Sequence, residues 1–209
     1  MKSFSRMFMI VMLMAMWGSV ASAEEGYQTA ASPDAKAGAE KQAMMEKMKK
    51  MTSPSEAHKI LEPLAGKWTY TSKFWMAPDG KPEESSGTAE DSMIFGGRFL
   101  KEDFKGTWMN QPFEGLGYMG YDNIKEEYVD VWLDNMATSI MKMSGTYDAA
   151  KKTLTFTGTN SCPLTGEKDR KGRSELVITD NDHHAYFMYM NGADGKEFKA
   201  MEINYQRAQ

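Results

Sequence analysis

The chain has 209 residues, 29 of them acidic and 25 basic, for a net charge of −4. The length allows one or two domains. The charge is mixed and mildly acidic, which excludes the basic footprint of a nucleic-acid or anionic-membrane binder. A single cysteine, Cys162, cannot form an internal disulfide, so the fold must be held by its core.

Lys2 and Arg6 precede an uncharged apolar run, Met7 to Trp17, and Ala21-Ser22-Ala23 matches a small-x-small cleavage pattern. Residues 1–23 are expected to be a signal peptide cut after Ala23, making the protein periplasmic or secreted. The run breaks at Gly18-Ser19, short of the roughly 20 apolar residues of a spanning helix. No later segment is long and apolar enough to cross a bilayer, so no membrane span is expected after cleavage. Loss of Lys2 and Arg6 leaves 23 basic against 29 acidic residues, a net charge of −6.

Residues 24–52 are expected to be flexible and partly helical. Glu24 to Pro33 is polar and small, as in a tether. Ala35 to Met51 is rich in Ala, Lys, Glu and Met and predicts a helix. Met44, Met48 and Met51 fall at i, i+4 and i+7. Thioether clusters in exported segments can bind copper(I), but this spacing is that of an ordinary helical stripe.

Residues 53–209 form the main domain. Ser53 is expected to cap a short helix with Pro54 at its first position and Glu56 completing a capping box. This helix carries Ile60, Leu61 and Leu64, ends around Pro63 and is stopped by Gly66. From Gly66 the hydrophobic period changes from 3.6 to 2. Turn signals then separate ten strand-like runs: 67–76, 85–95, 99–108, 113–121, 127–133, 138–147, 153–159, 173–179, 183–190 and 198–207. Tight turns imply antiparallel neighbours. About ten strands in one open sheet would leave two long edges, so closure is expected. The fold class is all-β, an antiparallel up-and-down barrel of about ten strands with one or two N-terminal helices. Several strands carry bulk on both faces, and the helix Pro54 to Leu64 is expected to cover part of the outer wall.

Leu64-x-Gly66-x-Trp68, Gly117-x-x-Gly120-Tyr121-Asp122, Trp132-x-Asp134 and Gly145-Thr146-Tyr147-Asp148 occur in order along this domain. Together, across roughly His58 to Arg207, they resemble the bacterial family called domain of unknown function 1579. The resemblance implies a lipocalin-like, calycin-type barrel and no particular activity. Gly66-x-Trp68 by itself is also similar to the opening of lipocalins, fatty-acid-binding proteins and nitrobindins. Physically, Gly66 eases the passage from helix to strand, and Trp68 is expected to point inward and plug the closed end.

A ligand would be held in the lumen. The residues expected to line it are Trp68, Tyr70, Phe74, Trp108, Tyr121, Phe156, Phe187 and Tyr189. On strand 127–133, Asp130 and Asp134 share a side with Tyr128 and Trp132, opposite Val129, Val131 and Leu133. The aliphatics are expected inside and the acids solvated. The reverse arrangement would line a cavity with two acids, with Arg173 or Lys142 as counter-ions. Asp180-Asn181-Asp182 beside His183 reads as a turn rather than a cation site. His184 is the histidine that alternation allows in the lumen, where a haem ligand would sit. Cys162 has no base nearby in sequence, and no nucleophile elbow or phosphate loop is present. No metal and no cofactor is expected. The reading is a barrel-type binding module for a small apolar or amphipathic ligand. The alternatives are an envelope interaction protein with a filled barrel, or a lumenal acid–base enzyme using Asp130, Asp134 or His184.

Overall fold

Ten strands close on themselves in the order β1-β10-β9-β8-β7-β6-β5-β4-β3-β2, every neighbouring pair antiparallel. The computed structural model describes residues 33–162, 166–192 and 194–209. The expected leader and the tether up to residue 32 lie outside the described residues. The strands are β1 (Gly66–Phe74), β2 (Glu83–Ile94), β3 (Phe99–Trp108), β4 (Gln111–Asp122), β5 (Glu127–Asp134), β6 (Met141–Asp148), β7 (Thr153–Asn160), β8 (Arg170–Ile178), β9 (His183–Asn191) and β10 (Glu197–Arg207). Sequential pairing needs only short turns, and β1 against β10 removes both edges.

The chain divides between Gln42 and Ala43 into two compact units. Helix α1 (Pro33–Thr52) opens with Asp34, ends near Lys49 and Lys50, and buries no residue. Its methionines Met44, Met45, Met48 and Met51 are exposed. Among the described residues, no helix is long and apolar enough to cross a membrane.

Helix α2 (Glu56–Lys59) starts two residues later than the capping pattern predicts. Ser55, not Ser53, is its N-cap. His58 takes the place expected of Glu56, its Nδ1 accepting the Ser55 N–H at 3.0 Å. Ser53 is used elsewhere, its carbonyl accepting from Asn123 Nδ2 at 2.8 Å. A 3-10 turn (Glu62–Leu64) holding Pro63 then leads into β1. This helical segment does not cover the outer wall. Leu61 and Leu64 pack with Leu100, Met119, Tyr128, Leu154 and Phe156, so they plug one end of the barrel. The outer bulk is met instead by long basic side chains. Arg173 lies over the Tyr189 ring at 3.8 Å, and Lys199 lies near Trp75 and Phe187.

The Leu64–Trp68 element is a lock on the barrel's closure. Trp68 Nε1 donates to the Leu64 carbonyl at 2.7 Å, and its ring is 1% exposed. Arg207 of β10 donates to the carbonyls of Pro63, Ala65 and Asn181, and its guanidinium stacks 4.1 Å from the Trp68 ring. Gly66 has φ +145, and a Cβ there would strike the Arg207 guanidinium. Glycine is therefore needed for both its conformation and the close approach.

The aspartates of the other three motifs each end a strand. Asp122 accepts the Ile124 and Lys125 N–H groups, Asp134 those of Met136 and Ala137, and Asp148 those of Ala150 and Lys151. Each is an aspartate-capped turn. The turn amides also hold the Asp122 and Asp148 carboxyls below their ordinary pKa.

Candidate functional site

Above the plugged end the barrel encloses a cavity of about 520 Å³. Alternation decides its lining. Even-numbered residues of β1, β3, β5 and β9 point in, as do odd-numbered residues of β2 and β4. Aromatic rings and thioethers dominate: Tyr70, Phe104, Trp132 and Tyr205 at mid-height, and Met188, Met190 and Met201 around them.

The cavity stays open because several large side chains lie flat along the wall over inward glycines. Tyr70 crosses Gly87 and Gly106 to donate to the Lys105 carbonyl at 3.3 Å, and a Cβ on either glycine would overlap its ring. Trp132 lies across Gly115, where a Cβ would meet its six-membered ring. Its Nε1 donates to Asp134 Oδ2 at 2.8 Å, which fixes that pose. Glu102 passes over Gly117, the space a Cβ would need being taken by its carboxylate. Gly172 has no such tenant: a Cβ there has one neighbour within 4 Å, the Tyr189 carbonyl at 3.9 Å.

The residues expected in the lumen separate into three groups. Tyr70, Phe74 and Trp108 line the cavity, the last two meeting edge to face at 4.8 Å. Trp68 and Phe156 point inward but lie in the solid core, and Tyr121 packs against His58 and Tyr128 at that same end. Phe187 and Tyr189 are corrected to the outer wall. Their strand turns His184, Tyr186, Met188 and Met190 inward instead. Both faces of β9 carry aromatics, so alternation alone could not rank them.

Strand β5 is likewise reversed from the expected setting. Tyr128, Asp130, Trp132 and Asp134 face in, and Val129, Val131 and Leu133 face out. The proposed counter-ions do not follow the acids inside. Arg173 pairs with Glu175 and Glu197 on the outer wall, and Lys142 is exposed. Both acids face in, but Asp134 is committed to Trp132 and its turn, which leaves Asp130 as the uncommitted one of the two. His184 is buried edge-on to Trp68 at 4.3 Å and stacked on Tyr205 at 4.1 Å. Burial, with Arg207 adding repulsion, pushes its pKa down to about 3. It is a neutral ring within the core. At the turn, Asp180 accepts the Asp182 N–H and contacts His183 Nδ1 at 3.0 Å. Cys162 is buried, with Arg170 Nη1 donating toward its Sγ at 3.5 Å.

Asp130 has two acidic companions that sequence reasoning missed, Asp91 of β2 and Glu102 of β3. They face each other in register. Asp91 is 5% exposed and Asp130 6%, and all three line the cavity. Burial pushes Asp91 up to about 8 and Asp130 up to about 7. Burial, reinforced by Asp91 and Asp130, holds Glu102 well above the ordinary carboxyl range. A signal for this was present: Glu90-Asp91 and Glu102-Asp103 are consecutive acids within strands, so one of each pair must point inward. Among the described residues, no three His, Cys, Asp or Glu side chains converge closely enough to hold a metal ion.

The fold resembles that of a solved protein, Rv2717c from M. tuberculosis. The likeness has a TM-score of 0.57 at 16% identity and covers 75% of this chain and 100% of the other. No curated protein matches the sequence. The family model described as "Protein of unknown function (DUF1579)" matches residues 53–207, the helical plug and all ten strands. The chain therefore belongs to the DUF1579 family.

Proposed function

We propose that the protein is a binding module whose barrel holds one small apolar or amphipathic ligand. The observation that carries this reading is the cavity of about 520 Å³ among aromatic rings and thioethers. Pockets for small ligands are of this size and are mostly apolar with a few placed polar groups. Methionines suit such a wall, because their unbranched thioethers adapt to an occupant. The leader pattern supports export of this module, with a mature chain beginning at Glu24, which N-terminal sequencing of protein from a periplasmic or secreted fraction checks.

The test uses native mass spectrometry of protein purified from its own host, together with uptake of an apolar fluorescent probe. The expected result is a bound small molecule or saturable one-to-one probe binding. Ser85 lines the cavity, and Ser85→Phe, which places a ring in it, is expected to abolish uptake. Uptake that is undiminished in a folded Ser85→Phe, or no uptake by the natural chain, overturns the reading.

A further inference from the structure

We infer that the ligand of this lumen is an amphipathic organic cation, its ammonium group seated among Asp91, Glu102 and Asp130 and its apolar part among the aromatic rings above them. This rests on the binding-module reading and names its ligand class.

Placement comes first. Asp91 and Glu102 lie opposite each other on adjacent strands. Glu102 then reaches across side-chain-free Gly117 of β4, toward the neighbouring strand β5, where Asp130 stands opposite Met119 of β4. The three carboxyls thus gather on one side of a mostly apolar cavity.

The cluster lacks what buried acids ordinarily have. Among the described residues, none of the three forms an ion pair, and Asp91, which lines the lumen, has its buried Oδ1 without a hydrogen-bond partner. The basic side chain that lines the cavity among the described residues is Arg170, and its guanidinium is taken by the Asn191 carbonyl and Cys162 Sγ. A buried unpaired acid is costly, and a cation delivered by a ligand relieves that cost. The raised pKa values of all three acids have the same origin, burial without a positive neighbour.

The surroundings favour an organic cation over other occupants. Among the described residues no group of acids could hold a metal ion. An anionic head group would meet three carboxyls. An ammonium, by contrast, also finds aromatic rings, since Tyr70, Phe104, Trp132 and Tyr205 line the same cavity. Cations are drawn to aromatic rings, most strongly where water is excluded.

The experiment titrates the full-length mature chain with three ten-carbon probes below their micelle concentrations: decyltrimethylammonium, decanol and decanoate. Binding is read by tryptophan fluorescence and calorimetry. The ammonium is expected to bind at least about tenfold more tightly than either other probe. Glu102→Gln and Asp130→Asn, both close to isosteric, are expected to erase that preference while keeping decanol binding. Equal binding of all three probes, or a preference for decanoate, overturns the cation assignment and leaves the binding module standing. Failure of every probe to bind overturns both. Should a variant not fold, the probe preference of the natural chain still decides.

Discussion

The two halves of this barrel are built on the same strands with the same alternation, yet one is solid and the other hollow. At the closed half, inward positions hold Leu100, Leu154, Phe156 and Trp68, and Leu61 and Leu64 descend from the helical segment to fill the remainder. At the hollow half, inward positions hold Gly87, Gly106, Gly115 and Gly117, with Ala89 and methionines between them. Barrel closure does not dictate a cavity. The volume at each inward position does, together with whether a large side chain stands up or lies over a glycine neighbour.

The sharpest test of this contrast is Phe156→Ala, which opens a hole in the solid half. It should destabilise the protein by about 3–5 kcal/mol in chemical denaturation. A loss below about 1 kcal/mol would mean that this end is not tightly packed. Next is the lock at the seam. Arg207→Met removes donors to three carbonyls and should cost about 2 kcal/mol, with tryptophan fluorescence reporting a more accessible Trp68.

The hollow half should respond to pH where the solid half does not. Asp91, Glu102 and Asp130 bind protons more tightly in the folded chain than in the unfolded one. Stability is therefore fullest below their unfolded values, near 3.8 for the aspartates and 4.5 for Glu102, and falls as pH rises toward about 8. His184 and His58, both lowered by burial, act in the opposite sense but only below about 6.5. Between about pH 6.5 and 8.5 the acids stand alone, and the melting temperature should fall by several °C, roughly the size of a 1–2 kcal/mol change. Asp130→Asn should flatten that slope. The smallest effect is expected for Met188→Ala. Its side chain already borders empty space, so its loss should cost about 1 kcal/mol, well under the 2–5 of a solid core. A cost as large as that of Phe156→Ala would erase the distinction between the halves.

Trp68 and Tyr189 show where sequence reading succeeds and where it fails. Trp68 follows a helix stop and opens a clean alternating run, so its inward direction was legible. Tyr189 sits on a strand with aromatics on both faces, and only Arg173 lying over its ring reveals that it faces out. The usual solvation of acids places Asp130 outside. The outer wall instead took Val129, Val131 and Leu133.

The sequence by itself determined the period, the turns and so the ten antiparallel strands, because backbone pleat and turn chemistry are local properties. It also carried, in Glu90-Asp91 and Glu102-Asp103, the necessity of inward acids. Only the tertiary structure decided which face of β5 and β9 looks inward, that the helical segment plugs an end rather than a wall, and that a cavity remains. Those outcomes depend on what lies across each glycine and on how side chains from distant strands share one interior, and neither is encoded in any single stretch of chain.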